Sequence, residues 1–228
     1  MFSLNDPALI NLEQHGAQLF CSAVTHDLTD LRAALQHHPR DNAGVRIIGN
    51  ERLRPFLRPE GPVGSIAASI IGPSACAVRV ILFDKTEKTN WSLTWHQDRT
   101  ICVKRRVEVE GFGPWTIKAG MQHVAPPFDI LSRMVTLRVH LDDVPATNAP
   151  LLIALGSHAI GCVPGAAIPD VVKRCGIVAC AAEAGDVWVY ATPILHASEA
   201  ASRPMRRRVL QIDYAAENLP GGLEWLGI

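Results

Sequence analysis

Apolar and polar residues alternate through much of the chain after residue 75, and a period of two is the signature of strands with one buried face. The pattern is clearest in S-R-M-V-T-L-R-V-H-L-D-D (132–143), where Leu137, Val139 and Leu141 share one face and Thr136, Arg138 and His140 the other. C-A-V-R-V-I-L-F-D (76–84), W-T-I-K-A-G-M-Q-H-V (115–124), I-V-A-C-A-A (177–182), D-V-W-V-Y-A-T (186–192) and R-R-V-L-Q-I-D-Y (207–214) also read as strands. So does N-W-S-L-T-W-H-Q-D-R (90–99), while N-A-P-L-L-I-A-L-G-S-H (148–158) runs from a turn through a strand into a Gly-Ser-His turn. K-R-R-V-E-V-E (104–110) predicts a small hairpin or lid arm closed by G-F-G-P (111–114).

The first 75 residues have a different character. Residues 7–14 predict a short helix that opens with Pro7 after Asp6 and ends at Gly16. Residues 17–22 predict a short strand. Residues 27–38 predict a helix with Leu28, Leu31, Ala34 and Leu35 on one stripe, stopped by Pro39. Residues 40–66 are turn-rich, with a short helix near 51–57, and I-A-A-S-I-I-G (66–72) is apolar without a clear period. Further on, one helical turn at 127–132 and a short helix over 166–175 separate the strands. Helices first and then many short strands predict a mainly β chain with flanking helices, an antiparallel double sheet or jelly roll and not a parallel α/β sheet. The expected organisation is one domain over 1–228. A helical and irregular support occupies 1–75 and the jelly-roll core 76–216. A tail at 217–228 packs back through Leu223, Trp225 and Leu226.

Composition changes this picture little. A length of 228 residues suits one domain. Lys and Arg number 22 against 22 Asp and Glu, which argues against a sequence-independent hold on nucleic acid or acidic membranes. Six cysteines occur without a C-x-x-C pair and without a secretory signal, so reduced thiols in a cytoplasmic setting are expected. No apolar stretch approaches the roughly 20 residues that span a bilayer. Nothing in the pattern fixes an oligomeric state.

The chemistry concentrates at His96 and Asp98. On a strand, residues two apart project from the same face. An imidazole and a carboxylate placed so are two thirds of the 2-His-1-carboxylate set, which binds Fe(II) on one side and leaves other positions open. Four histidines are candidates for the third ligand: His123, His140, His158 and His196. His196 has the best context, because it follows a strand begun by Gly185-Asp186 and its polar loop leads into an Arg-bearing strand. The other three read as pocket-wall, hydrogen-bonded or turn residues, and Arg206 and Arg208 as solvated or ion-paired.

Five segments together resemble the phytanoyl-CoA dioxygenase family of Fe(II)/2-oxoglutarate oxygenases. They are W-H-Q-D (95–98), N-A-P-L-L-I-A-L-G-S-H (148–158), A-G-D-V-W (184–188), H-A-S from His196, and R-R-V-L-Q-I-D-Y (207–214). The resemblance spans roughly residues 80–216, with H-G-A-Q-L-F (15–20) a weaker match. It implies a double-stranded β-helix of the cupin-like jelly-roll kind, with iron held by His96, Asp98 and His196 as the catalytic centre. It implies 2-oxoglutarate and O2 as cosubstrates, and an Arg one strand beyond the distal histidine that binds the far carboxylate of 2-oxoglutarate. The family spacing falls on Arg207, and a planar guanidinium suits a carboxylate. The alternation of 206–214 does not by itself choose between Arg207 and its neighbours. Ser198 matches a position that helps hold the same carboxylate, and Gln97, Lys85 and Trp115 are further candidates for that pocket. Arg138, Thr136 and Lys118 are candidates for substrate contact.

The family loop N-G-x-L-x-x-x-P-G-S-H departs here at Ala149 and Leu155. Halogenating relatives lack the carboxylate that Asp98 supplies, so Asp98 implies hydroxylation or a related oxidation. The expected activity is hydroxylation of a small organic molecule with conversion of 2-oxoglutarate to succinate. The alternatives are a cupin-like metal-binding or sensor protein without oxygenase activity, and an oxygenase acting on a protein side chain.

Overall fold

The computed structural model describes residues 7–39, 42 and 44–228. Asp6, the expected helix cap, lies outside them. The helix expected over 7–14 is two pieces, a 3-10 turn at Pro7–Leu9 and α1 at Leu12–His15. Asn11 caps α1, accepting from the Gln14 backbone N–H at 2.8 Å, and Gly16 closes it in the left-handed conformation at φ 75°.

Six antiparallel strands form the major sheet. They are β1 (Ala17–Phe20), β2 (Val45–Ile47), β3 (Cys76–Lys85), β8 (Val135–His140), β11 (Val187–Ala191) and β13 (Arg207–Ala215). Their order is β1-β11-β8-β13-β3-β2. A minor sheet of β4 (Leu93–His96), β9 (Leu151–Ala154), β10 (Ile177–Cys180) and β12 (His196–Ser198) has the order β10-β9-β12-β4. A small sheet, order β5-β7-β6, contains β5 (Ile101–Val103), β6 (Trp115–Lys118) and β7 (Met121–Val124). The chain is mainly β with jelly-roll sheets, as its alternation predicts.

Each face of the major sheet has its own task. Leu137, Val139, Leu210, Ile212, Tyr214, Val80 and Leu82 point to one side and pack against α2 (Leu28–Ala34), α3 (Arg54–Leu57) and α4 (Gly64–Ile71). The apolar stretch of unclear period is thus α4, with Ile66 and Ala67 in that core. On the other side Ala17, Trp188 and Tyr190 pack against Leu151, Ile153, Val178 and Cys180 of the minor sheet. Arg79 and Lys85 of β3, Thr136, Arg138 and His140 of β8, and Arg207, Gln211 and Asp213 of β13 share this inner side, so they stand between the two sheets. Buried apolar area on both faces, at about 25 cal/mol per Å², is what holds the double sheet.

Two expectations fail locally. Residues 104–110 form no strand; the hairpin is β6–β7, turned by Ala119 and Gly120, both at positive φ. Residues 45–47, in the turn-rich segment, form β2 and pair with β3. α5 (Phe128–Ser132) and α6 (Ile168–Arg174) occupy the predicted places. The tail returns as expected, with Leu223 buried and Trp225 bridged to Val103. No helix among the described residues is long and apolar enough to cross a membrane.

Candidate metal centre

β4 and β12 pair antiparallel with His96 directly opposite His196. That register brings the two imidazoles together, with ring centroids 4.3 Å apart and ring planes inclined by 56°. Asp98 follows the end of β4. One ligand atom from each of His96, Asp98 and His196 lies within 4.8 Å of the others. The sequence does not mark 196–198 as a strand, yet this three-residue strand brings the distal histidine to the pair.

Backbone carbonyls fix the state of both imidazoles. His96 Nδ1 lies 2.8 Å from the Thr94 carbonyl, and His196 Nδ1 lies 3.0 Å from the Ile194 carbonyl. A carbonyl can only accept, so each Nδ1 carries the proton and each Nε2 keeps its lone pair. Burial pushes the His196 pKa down to about 4, more than the Asp98 charge raises it. Asp98 Oδ2 accepts from Arg79 Nη2 at 3.1 Å, which leaves Oδ1 for another partner. Burial opposes the Asp98 charge, but Arg79, then His196 and His96, hold its carboxyl below the usual range. Two imidazoles whose Nδ1 donates to a carbonyl, which makes Nε2 the ligand atom of the neutral ring, and one ionised carboxylate are the donor set that suits Fe(II).

Behind these groups runs a buried network that the sequence reading missed. Arg79 Nε also donates to Asp213 at 2.5 Å. Asp213 accepts from Thr136 Oγ1 at 3.1 Å, and Thr136 meets Thr192 at 3.1 Å. The available signal was a lone Arg within the apolar strand 76–84 and a lone Asp within 207–214.

At the other end of the inner face, Lys85 and Arg207 are opposed across β3 and β13. Lys85 Nζ donates to the Glu199 carbonyl at 2.8 Å and to Ser198 Oγ at 3.4 Å, and sits 4.8 Å over the Trp91 ring. Burial, then Arg207 and Arg138, push its pKa down to about 8. Arg207 is 3% exposed; its Nη1 donates to the Ala149 and Asn148 carbonyls, and its Nε has no partner. Burial and Arg138 lower its pKa to about 9. Arg138 donates to Gln211 Oε1 at 2.8 Å and stacks over Phe83. Among the described residues no carboxylate pairs with any of these three cations, so an incoming anion would find charge already assembled. The strand phase now distinguishes the arginines. Arg207 faces inward, whereas Arg206 pairs with Asp84 at 2.8 Å and Arg208 with Asp142 at 2.7 Å.

The remaining candidates divide. Ser198 and Lys118 line the cavity around His96, with Lys118 exposed at its rim. Gln97 is buried and its amide is spent on the fold: Nε2 donates to the Gly161 and Pro193 carbonyls, and Oε1 accepts from Val163 N–H. It ties the end of β4 to the 161–163 loop, and it also lines the cavity that contains His96 and Asp98. Trp115 does not line this cavity; it packs with Val103 and Val124, and Arg106 lies over its ring. Thr136 is fully buried in the Asp213 network and also stands back from the cavity. His123 bonds Cys102 Sγ through Nε2 at 3.0 Å and His158 sits in a 3-10 turn. His140 is buried with neither ring nitrogen partnered.

The cavity holding the centre has a volume of 470 Å³, in the range of small-molecule sites. A larger, mainly apolar cavity of 730 Å³ lies between α5 and the tail and contains none of these residues.

The profile of the phytanoyl-CoA dioxygenase family matches residues 50–209. No curated protein sequence matches the chain. Among solved structures, EctD from S. alaskensis in its apoform is similar over 95% of this chain and 80% of its own, with TM-score 0.65 and 16% identity. HygX from Streptomyces hygroscopicus, with nickel and 2-oxoglutarate bound, is similar over 93% of this chain and 87% of its own, with TM-score 0.61 and 12% identity. The epimerase SnoN, in complex with Fe3+, alpha ketoglutarate and nogalamycin RO, is similar over 92% and 88%, with TM-score 0.62 and 16% identity.

Proposed function

Because the chain belongs to the phytanoyl-CoA dioxygenase family, we propose that this Fe(II)/2-oxoglutarate-dependent dioxygenase hydroxylates a small organic molecule at His96, Asp98 and His196. One observation carries the assignment of the centre: the three ligand atoms converge within 4.8 Å, with both histidine Nε2 lone pairs left free.

The chemistry supplied by bound Fe(II), 2-oxoglutarate and O2 is oxidation of a substrate C–H bond coupled to decarboxylation of 2-oxoglutarate to succinate. The chain's own residues bind and orient. His96 and His196 present Nε2 because Thr94 and Ile194 hold their Nδ1 protons. Asp98 supplies the negative charge, and Arg79 fixes its carboxylate while matching that charge on the far oxygen. Arg207 takes the far carboxylate of 2-oxoglutarate in a buried setting without a counterion among the described residues, with Ser198 and Lys85 at the same end. A bare metal-binding module would have no use for such an anchor. Asp98 fills the position that halogenating relatives leave open, which supports hydroxylation.

We read the whole chain as one oxygenase domain, since β1 and β2 of the N-terminal part belong to the same sheet as β3, β8, β11 and β13. All six cysteines are free thiols, which suits a reducing cytoplasm. The test is succinate formation from 2-oxoglutarate in air, without added substrate. It should depend on Fe(II) and fall about a hundredfold or more in His196→Ala, a loss of one of three ligands. Equal succinate formation by folded His196→Ala would remove His196 from the centre.

A further inference from the structure

The cavity around the centre carries a second unsatisfied positive region, away from Arg207. Arg46 lies on β2 and lines the cavity, as do Lys118 of β6 and Thr100. Arg46 Nε is buried with no hydrogen-bond partner. Among the described residues no hydrogen bond or ion pair reaches the Arg46 or Lys118 head group. The other two cations on this side are already committed, Arg79 to Asp213 and Asp98, and Arg99 to Gln97 Oε1 and the Val163 carbonyl. Asp98 is the only carboxylate among the described cavity-lining residues, and Arg79 and the two histidines surround it.

Sheet register separates this region from the Arg207 end. Arg46 pairs with Ile81 of β3, whereas Arg207 pairs with Lys85. Four residues of strand amount to about 13 Å. The two carboxyl carbons of 2-oxoglutarate are about 5 Å apart at ordinary bond lengths, so one cosubstrate cannot answer both ends. The charges of Arg46 and Lys118 both reach the buried Cys102–His123 pair, where they add to burial in disfavouring a protonated His123. Two cations from different sheets therefore converge on one side of the centre. A guanidinium fork, an ammonium and a hydroxyl form an oxyanion-binding set.

We infer that the substrate is a small organic anion whose carboxylate or phosphate group docks on Arg46 and Lys118, with Thr100 at the same site, while the bond to be oxidised faces His96 and Asp98. This deepens the proposed function and rests on it. The 470 Å³ cavity limits the enclosed part of the substrate to a small molecule. Charge recognition of this kind fixes the substrate's orientation and leaves the reaction type to the centre.

The test uses the anaerobic protein loaded with Fe(II) and 2-oxoglutarate. Its probes are three matched panels: small carboxylic acids, their methyl esters, and phosphate monoesters of the corresponding alcohols. Binding is read by calorimetry, and the visible band of the loaded centre is read in the same sample. Acids or phosphates should bind while the esters do not, and the panel that binds identifies the anionic group. Affinity should fall about tenfold or more in Arg46→Gln and in Lys118→Met. Arg46→Lys, which keeps the charge, should recover most of it. Esters binding as tightly as acids, no binding in either anionic panel, or unchanged affinity in both variants would overturn the inference. In each of those cases a persisting band leaves the oxygenase reading standing. Loss of the band from unsubstituted protein counts against the oxygenase reading itself, and with it this inference.

Discussion

Arg207 and Arg206 are adjacent and yet belong to different environments. Arg207 is buried against the cavity beside Arg138 and Lys85, whereas Arg206 is anchored by Asp84 on the outer side. Arg207→Ala should raise the 2-oxoglutarate concentration needed for half-maximal succinate formation by roughly thirtyfold or more, about 2 kcal/mol of lost charge pairing. Arg206→Ala should leave it within about twofold. A large effect at Arg206 with none at Arg207 would move the anchor by one residue. His140 offers a separate residue-scale prediction. Burial, then Arg138 and Arg207, push its pKa down to about 3 from a model-peptide value of 6.5. The unfolded chain therefore binds this proton more readily than the folded one. The resulting stability is fully present above pH 6.5 and is lost as pH falls toward 3. At pH 5 the loss from His140 is about 2 kcal/mol. His140→Leu should thus shrink the Tm drop between pH 7 and pH 5 by roughly 4–8 °C. An unchanged drop in the variant would show that His140 does not stay neutral in the fold.

At the scale of elements, the loop before β9 shows how a departure from the family pattern is accommodated. Ala149 stands where the family loop has glycine, and it adopts φ 50°, the left-handed region where a Cβ is strained. Its carbonyl accepts from Arg207 Nη1, so the strained turn also holds that guanidinium in place. Ala149→Gly should stabilise the fold by about 0.5–1 kcal/mol, raising Tm by roughly 1–4 °C without loss of 2-oxoglutarate binding. A lower Tm would mean the methyl group contributes more by packing than it costs in strain. The same scale shows what could be read from the chain beforehand. Long alternating strands were legible, because Leu137, Val139 and Leu141 must all face one core. The three-residue strands β2 and β12 were not, since three residues carry too little alternation and are held by pairing to β3, β9 and β4. The His96 and Asp98 spacing was legible for the same reason as the long strands. The structural duty of Gln97 was not legible, because its side chain binds the 161–163 loop, a contact 64 residues away. Arg79, Asp213 and Arg46 were missed because their importance lies in partners on distant strands, or in the lack of any among the described residues.

For the molecule as a whole, the division between the two faces of the major sheet is what makes a site possible. One face is sealed by α2, α3 and α4. The other carries charge at intervals between the sheets, with cations at both ends of the cavity and the two histidines and one carboxylate between them. Such an interior is costly to assemble, because buried charges without partners destabilise a fold. Its retention is understandable if anionic molecules complete it. If His96, Asp98 and His196 hold Fe(II) with 2-oxoglutarate beside it, the visible spectrum of the anaerobic protein after addition of Fe(II) and then 2-oxoglutarate reports it directly. A weak charge-transfer band should appear, saturate at one equivalent of iron, and be weakened or lost in folded Asp98→Ala. Absence of the band from well-folded unsubstituted protein, or a band of full strength in Asp98→Ala, would contradict the claim.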